Sequence, residues 1–208
     1  SLYSTDSRPG PNQSNSSEIP KSSTNASDPT CNEQSKKLSR TLMNYFSFMN
    51  IQGLKAKTVQ SKVPFVEDVL RENNQLFIGL TETWLKDHND AELKIEGYTL
   101  FRSDRKRNKR TNKGRDSGGA ACYVRNDVSS SMNKILDFSN GVVEVLCLYS
   151  HIENLLLVVC YRQPDDTLHG HTSNSKEFKE ALDKVKKVID ALDQPLPDMF
   201  IGGDFNLP

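Results

Sequence analysis

No sign of charge predominates in this sequence. Its 27 Lys and Arg balance 27 Asp and Glu, so the formal net charge over 208 residues is zero. Bulk attraction to a polyanion is thereby excluded, and any nucleic-acid recognition has to be local. No apolar run reaches the roughly 18–20 residues that a membrane-spanning helix needs, and no signal peptide opens the chain. The expectation is an intracellular protein with no membrane partner. Cysteine is scarce, at four residues, and none forms a C-x-x-C pair, which argues against a disulfide scaffold or a zinc ribbon. Cys122, Cys147 and Cys160 sit inside apolar runs and read as small buried hydrophobes. The first residue is Ser1 rather than methionine, which suggests part of a longer product.

Large apolar residues are nearly missing from residues 1–36, which are rich in Ser, Asn, Pro and Thr. Such a segment cannot bury enough surface to offset its chain entropy, and it reads as a disordered tail. Residues 37–208 carry the pattern of a domain. Leu42–Met49 reads as a first strand. Residues 58–73 read as a helix with Val59, Val63, Val66 and Leu70 at three- and four-residue spacing, although Pro64 leaves its start open. Leu76–Leu80, Tyr98–Phe101, Ala120–Val124, Val142–Tyr149, Leu155–Tyr161 and Met199–Ile201 read as further strands. Residues 175–192 give the clearest helix, with Phe178, Leu182, Val185, Ile189 and Leu192 as its apolar stripe and Ser173 or Ser175 as its cap. The order predicts a layered α/β sandwich.

Several polar residues stand directly after strands: Asn50, Glu82, Tyr161, Asp204 and Asn206. Strand ends gathered at one edge of a sheet bring distant residues into one cleft. A carboxylate there can hold Mg²⁺, a hard cation that takes oxygen ligands and keeps several waters, and a metal so placed neutralises phosphate charge. Each residue alone has an ordinary reading as a turn, cap or core-edge residue. Their joint order and the words around them give the signal.

Those words are Asn50-Ile-Gln-Gly-Leu54, Leu80-Thr-Glu-Thr-Trp-Leu85, Gly118-Gly-Ala-Ala-Cys-Tyr-Val124, Tyr161-Arg-Gln-Pro164 and Gly203-Asp-Phe-Asn206. Together they resemble the endonuclease/exonuclease/phosphatase family over about residues 42–208. The Thr-Glu-Thr-Trp-Leu and Tyr-Arg-x-Pro forms look like the branch found in non-LTR, jockey-like retrotransposons. The resemblance implies a DNase I-like fold, two face-to-face sheets with outer helices, here incomplete at its C-terminal side. It implies that Glu82 binds metal, Mg²⁺ or alternatively Mn²⁺, with Asn50 in support. Tyr161 would contact the scissile phosphate, Asp204 would align or activate water, and Asn206 would orient phosphate. The implied reaction is attack of water on a DNA phosphodiester, nicking DNA to prime reverse transcription. The implied partners are DNA and a following reverse-transcriptase domain, and a nuclear stage goes with them.

Two departures stand out. Gln52 occupies a position where many relatives carry Asn or Asp. The family's later Ser-Asp-His motif has no match, because His88, His151, His169 and His171 all lie upstream of Asp204. Losing one charge-stabilising contact typically costs ~10²–10³ in rate, so these 208 residues alone are expected to turn over little. A catalytically dead remnant that at most binds nucleic acid is an alternative, as is a relative acting on lipid or RNA. A basic stretch, Arg102, Arg105, Lys106, Arg107, Lys109, Arg110, Lys113 and Arg115, reads as a solvated surface loop or as an arm contacting DNA phosphates. His169 and His171 lack a third ligand at metal-binding spacing and read as loop residues.

Overall fold

A computed structural model describes residues 46–55, 60–85, 89–106, 117–164, 175–192 and 195–207. The Ser/Asn-rich stretch 1–36, His88, His169, His171, and Arg107, Lys109, Arg110, Lys113 and Arg115 lie outside them. The described residues form eight strands: β1 (Phe46–Asn50), β2 (Phe77–Thr81), β3 (Tyr98–Ser103), β4 (Ala120–Arg125), β5 (Met132–Ser139), β6 (Val143–Ser150), β7 (Leu155–Arg162) and β8 (Asp198–Asp204). Helices are α1 (Val63–Glu72), a single turn α2 (Asn126–Ser129) and α3 (Ser175–Asp190), with a 3₁₀ turn at Asp90–Leu93.

The strands form two sheets of four, ordered β1-β2-β4-β3 and β5-β6-β7-β8. Only β1/β2 and β7/β8 are parallel. A parallel pair needs a crossover connection, and α1 and α3 supply one each. The remaining neighbours are antiparallel.

Three apolar clusters define four layers. Phe77, Cys122 and Val124 of the first sheet meet Leu146, Leu148, Leu157 and Val159 of the second. Val63, Val66 and Leu70 of α1 cover Ile78, Leu80, Ala121 and Tyr123 on the outer face of the first sheet. Ala181 and Val185 of α3 cover Val145, Cys147, Val158 and Cys160 on the outer face of the second. Strand β7, Leu-Leu-Leu-Val-Val-Cys-Tyr-Arg, is buried at every position. A strand covered on both faces is written as a continuous apolar run. Burial pushes the Cys147 and Cys160 thiols up to about 12 and the Cys122 thiol higher still, as expected for inert core cysteines.

Two sequence expectations need correction, and one left open is decided. The first helix begins at Val63, with Pro64 in its first turn, where its missing N–H costs nothing. The buried stripe of α3 runs through Phe178, Ala181, Val185, Ile189 and Leu192. Leu182 turns away and is 48% exposed; a position one residue after Ala181 is rotated by about 100° on a helix. The strand β5, Met-Asn-Lys-Ile-Leu-Asp-Phe-Ser, was absent from the sequence reading, and its register shifts between Lys134 and Leu136. A polar, bulged edge strand shows little alternation.

Cross-strand register explains where the core ends. Paired residues share a face. On the inner face of the first sheet the last row is Asn50, Thr81, Ala120 and Ser103. On the second it is Asp204, Tyr161, Glu144 and Ser139. One end of the apolar sandwich therefore closes in two largely polar rows that face each other.

Candidate active site

The polar rows meet through side chains. Asn50 Nδ2 donates to Glu82 Oε1 at 2.9 Å and to Asp204 Oδ2 at 2.7 Å. Asn50 Oδ1 accepts from the Gln52 backbone N–H at 3.2 Å. That last bond fixes which way the amide points, since only its nitrogen can serve two carboxylates. Residues 32 and 154 positions away in sequence thus converge on one amide.

The local words build this arrangement. After β1 and β2 the two chains continue side by side: Ile51 N–H donates to Thr81 O, Gly53 N–H to Glu82 O, and Leu54 N–H to Thr83 O. Trp84 N–H donates to Gly118 O. The Trp84 ring lies on Gly53, where an added Cβ would stand 2.6 Å from it. Lys62 Nζ donates to the carbonyls of Ile51 and Gln52 and ties the turn to the start of α1. Gln52, Glu82, Trp84 and Asn206 all hold positive φ, between 40° and 54°. Such backbone costs of order 1–3 kcal/mol per residue and persists where surrounding contacts enforce it. Here it turns Glu82 off the end of β2 toward the cleft.

The Asp204 side has its own supports. Gly203, at φ 143°, sits where a Cβ would fall 1.8 Å from Cys160 O, so only glycine lets β8 lie this close to β7. Arg162, buried at 2% exposure, donates to the carbonyls of Phe205 and Asn206. Asn206 Nδ2 returns a bond of 2.7 Å to Arg162 O. Asn206 is therefore held on the end of β7. Tyr161 pairs with Asp204 and is 3% exposed. Burial pushes its phenol well up, with Glu82, Glu144 and Asp204 adding to the rise and Arg105 opposing it. Across the ordinary pH range it is a neutral O–H donor.

Beside Tyr161 lies a group that sequence reading did not place. Arg105 Nε and Nη2 donate to Glu144 Oε1 and Oε2 at 2.9 and 3.1 Å, with side-chain exposures of 9% and 0%. Glu144 also accepts from Gly119 N–H and Ser139 Oγ. A lone Glu inside the apolar run Val-Val-Glu-Val was the available signal, since a buried carboxylate demands a partner. This changes the reading of the basic stretch. Arg105 is largely covered, with its side chain 9% exposed, and Arg102 is engaged by Asp104 and Asp90. Of the three described members, Lys106 alone is largely exposed, at 63% for its side chain.

A divalent cation implied by the fold fits part of this set. The carboxylates of Glu82 and Asp204 offer hard oxygens, as Mg²⁺ and Mn²⁺ prefer, whereas Asn50 presents its Nδ2 to them and would turn its amide to offer Oδ1 to a cation. Among the described residues no three His, Cys, Asp or Glu side chains converge on one point. Such an ion would need water and substrate oxygens to complete its shell, as Mg²⁺ commonly does. His151, the one histidine among the described residues, follows Ser150 at the opposite end of β6 from Glu144. No described helix is long and apolar enough to cross a membrane.

No protein-family model matches the sequence, and no curated protein matches it. Solved structures do match. The AP endonuclease LMAP from Leishmania major is 15% identical, with 78% of this chain and 55% of that one covered and a TM-score of 0.52. The 3′ phosphatase NExo from Neisseria, bound to a product DNA hairpin, is 18% identical over 77% and 56%, with a TM-score of 0.50. The endonuclease domain of TRAS1, a telomere-specific non-LTR retrotransposon, lies further away, at 15% identity over 77% and 59% and a TM-score of 0.42. The chain spans a little over half the length of these structures. Its two four-stranded sheets with outer helices are the endonuclease/exonuclease/phosphatase, DNase I-like fold.

Proposed function

We propose that this chain carries the metal- and water-binding side of a phosphodiester-hydrolysing site that acts on DNA. One observation carries the reading: Asn50 joins Glu82 and Asp204 at the polar end of the sandwich, from three separate strand ends. The fold, shared with an AP endonuclease and a DNA 3′ phosphatase, supports it.

In this reading Glu82 and Asn50 hold Mg²⁺ or Mn²⁺, which when bound neutralises phosphate charge and lowers the barrier to attack. Asp204 accepts a hydrogen bond from the attacking water and aligns it with phosphorus. Tyr161, kept neutral by its burial, donates to a non-bridging phosphate oxygen as charge develops there. Asn206, fixed by Arg162, holds the segment that leaves β8 just after Asp204. The words Thr81-Glu-Thr-Trp-Leu85 and Tyr161-Arg-Gln-Pro164 favour the endonuclease of a non-LTR retrotransposon, nicking chromosomal DNA in the nucleus ahead of a reverse-transcriptase domain.

Conversion of supercoiled plasmid to open circles by the intact protein, with and without Mg²⁺, tests this. Expected is metal-dependent nicking that Glu82→Ala or Asp204→Ala reduces by roughly 10²-fold or more. Nicking that survives both substitutions would sink the reading.

A further inference from the structure

Arg105 and Glu144 form a closed unit with no opening of their own. The guanidinium fork meets the carboxylate through two bonds, and its remaining Nη1 donates to Gln163 Oε1 at 3.0 Å. Gly118 leaves room for it: a Cβ there would lie 2.3 Å from Arg105 Cζ. The pair bridges the sheets, since Arg105 follows β3 and Glu144 belongs to β6. Buried pairs of this kind rarely stabilise a fold more than apolar residues of the same size would, so stability alone does not account for it. Its location does suggest a use. Arg105 Cζ stands 5.4 Å from the centre of the Tyr161 ring, and Glu144 is the cross-strand partner of Tyr161. A cation at that distance holds an aromatic face through the ring quadrupole. Tyr161 is therefore flanked in its row by Asp204 on one side and Glu144 on the other, with Arg105 against the ring.

We propose that Arg105, locked in place by Glu144, is a positioning residue that fixes the Tyr161 ring so that its hydroxyl points into the cleft. The catalytic part of this inference rests on the function proposed above; the structural part does not. In this proposal Arg105 acts through Tyr161, with its Nε, Nη1 and Nη2 each bonded to Glu144 or Gln163.

The test labels the protein with 3-fluorotyrosine and assigns the Tyr161 fluorine signal with Tyr161→Phe. Two variants are compared: Arg105→Lys, which keeps the charge but loses the fork, and Arg105→Met/Glu144→Gln, which leaves no buried charge unpaired. The expected result in both is a moved or broadened Tyr161 signal, while Tyr98 and Tyr123, on the outer side of the first sheet, stay in place. A Tyr161 signal unmoved in the folded double variant overturns the proposal, whatever Arg105→Lys does. The second arm measures single-turnover nicking. Arg105→Lys is expected to lower kcat roughly tenfold to a hundredfold with KM unchanged, and to cause no further loss in the Tyr161→Phe background. Independent, multiplicative losses would overturn a role through Tyr161. If the unsubstituted protein fails to nick, the proposed function fails while the fluorine arm still decides the positioning claim.

Discussion

Two links join the sheets at the same end of this sandwich, and they are built on opposite terms. Asn50 with Glu82 and Asp204 faces solvent, and its carboxylates keep oxygen lone pairs free for other donors or for a cation. Arg105 with Glu144 is sealed, and Glu144 accepts from Arg105, Gly119 and Ser139. Burial decides the difference. A charge in water is inexpensive to leave half-satisfied, whereas a charge in the interior must find every partner within the fold. The open link can therefore exchange partners with a ligand, while the closed link can only hold geometry.

Substitution should separate the two links sharply. The largest effect falls on the closed one. Glu144→Ala strands a buried guanidinium and is expected to cost about 3–5 kcal/mol in urea unfolding, with Arg105→Met/Glu144→Gln costing far less. Equal costs for the single and double changes would show that charge is not what the link provides.

At the open link a change of charge should act through ligand binding. Asn50→Asp removes the two donors and adds a third carboxylate. Without metal, the expected loss is about 1 kcal/mol, kept small by solvent screening. Added Mg²⁺ should raise the Tm of this variant more than that of the parent, because a ligand stabilises the state it binds. A Tm shift no larger than that of the parent would place the cation away from Asn50.

The smallest effect tests the layers beneath both links. Cys122, Cys147 and Cys160 are free and buried, and burial raises their thiols to about 12 or beyond. A disulfide reagent at pH 8 should leave all three unmodified in the folded protein and titrate them in denaturant. Fast native reaction at Cys147 or Cys160 would mean that α3 does not stay on the second sheet.

The sequence disclosed the two kinds of region unequally. Strands covered on both faces are apolar throughout, so β2 and β7 were legible from composition alone. The edge strand β5 was not, because its exposed positions carry Asn133, Lys134 and Asp137 and its register breaks midway. At the candidate site, Asn50, Glu82, Tyr161, Asp204 and Asn206 stand out in sequence because each lies at a strand end inside a recognisable word, and the structure joins Asn50, Glu82 and Asp204 while Asn206 bonds Arg162. That Asn50 holds both carboxylates was not readable, since it depends on how the sheets stack. The basic stretch misled for the same reason. Arg105 looks like its neighbours Lys106 and Arg102 in sequence, and only the stacking that brings Glu144 against it leaves its side chain largely covered. Leu182 repeats the lesson on α3, where one residue of phase decides between core and solvent.

The claim at the centre is that Glu82 and Asn50 hold one divalent cation. Calorimetric titration of the protein with Mn²⁺ measures this without turnover. The expected result is a single site whose affinity falls roughly tenfold or more in both Glu82→Gln and Asn50→Ala, with each variant folded. Unchanged Mn²⁺ affinity in either folded variant would contradict the account.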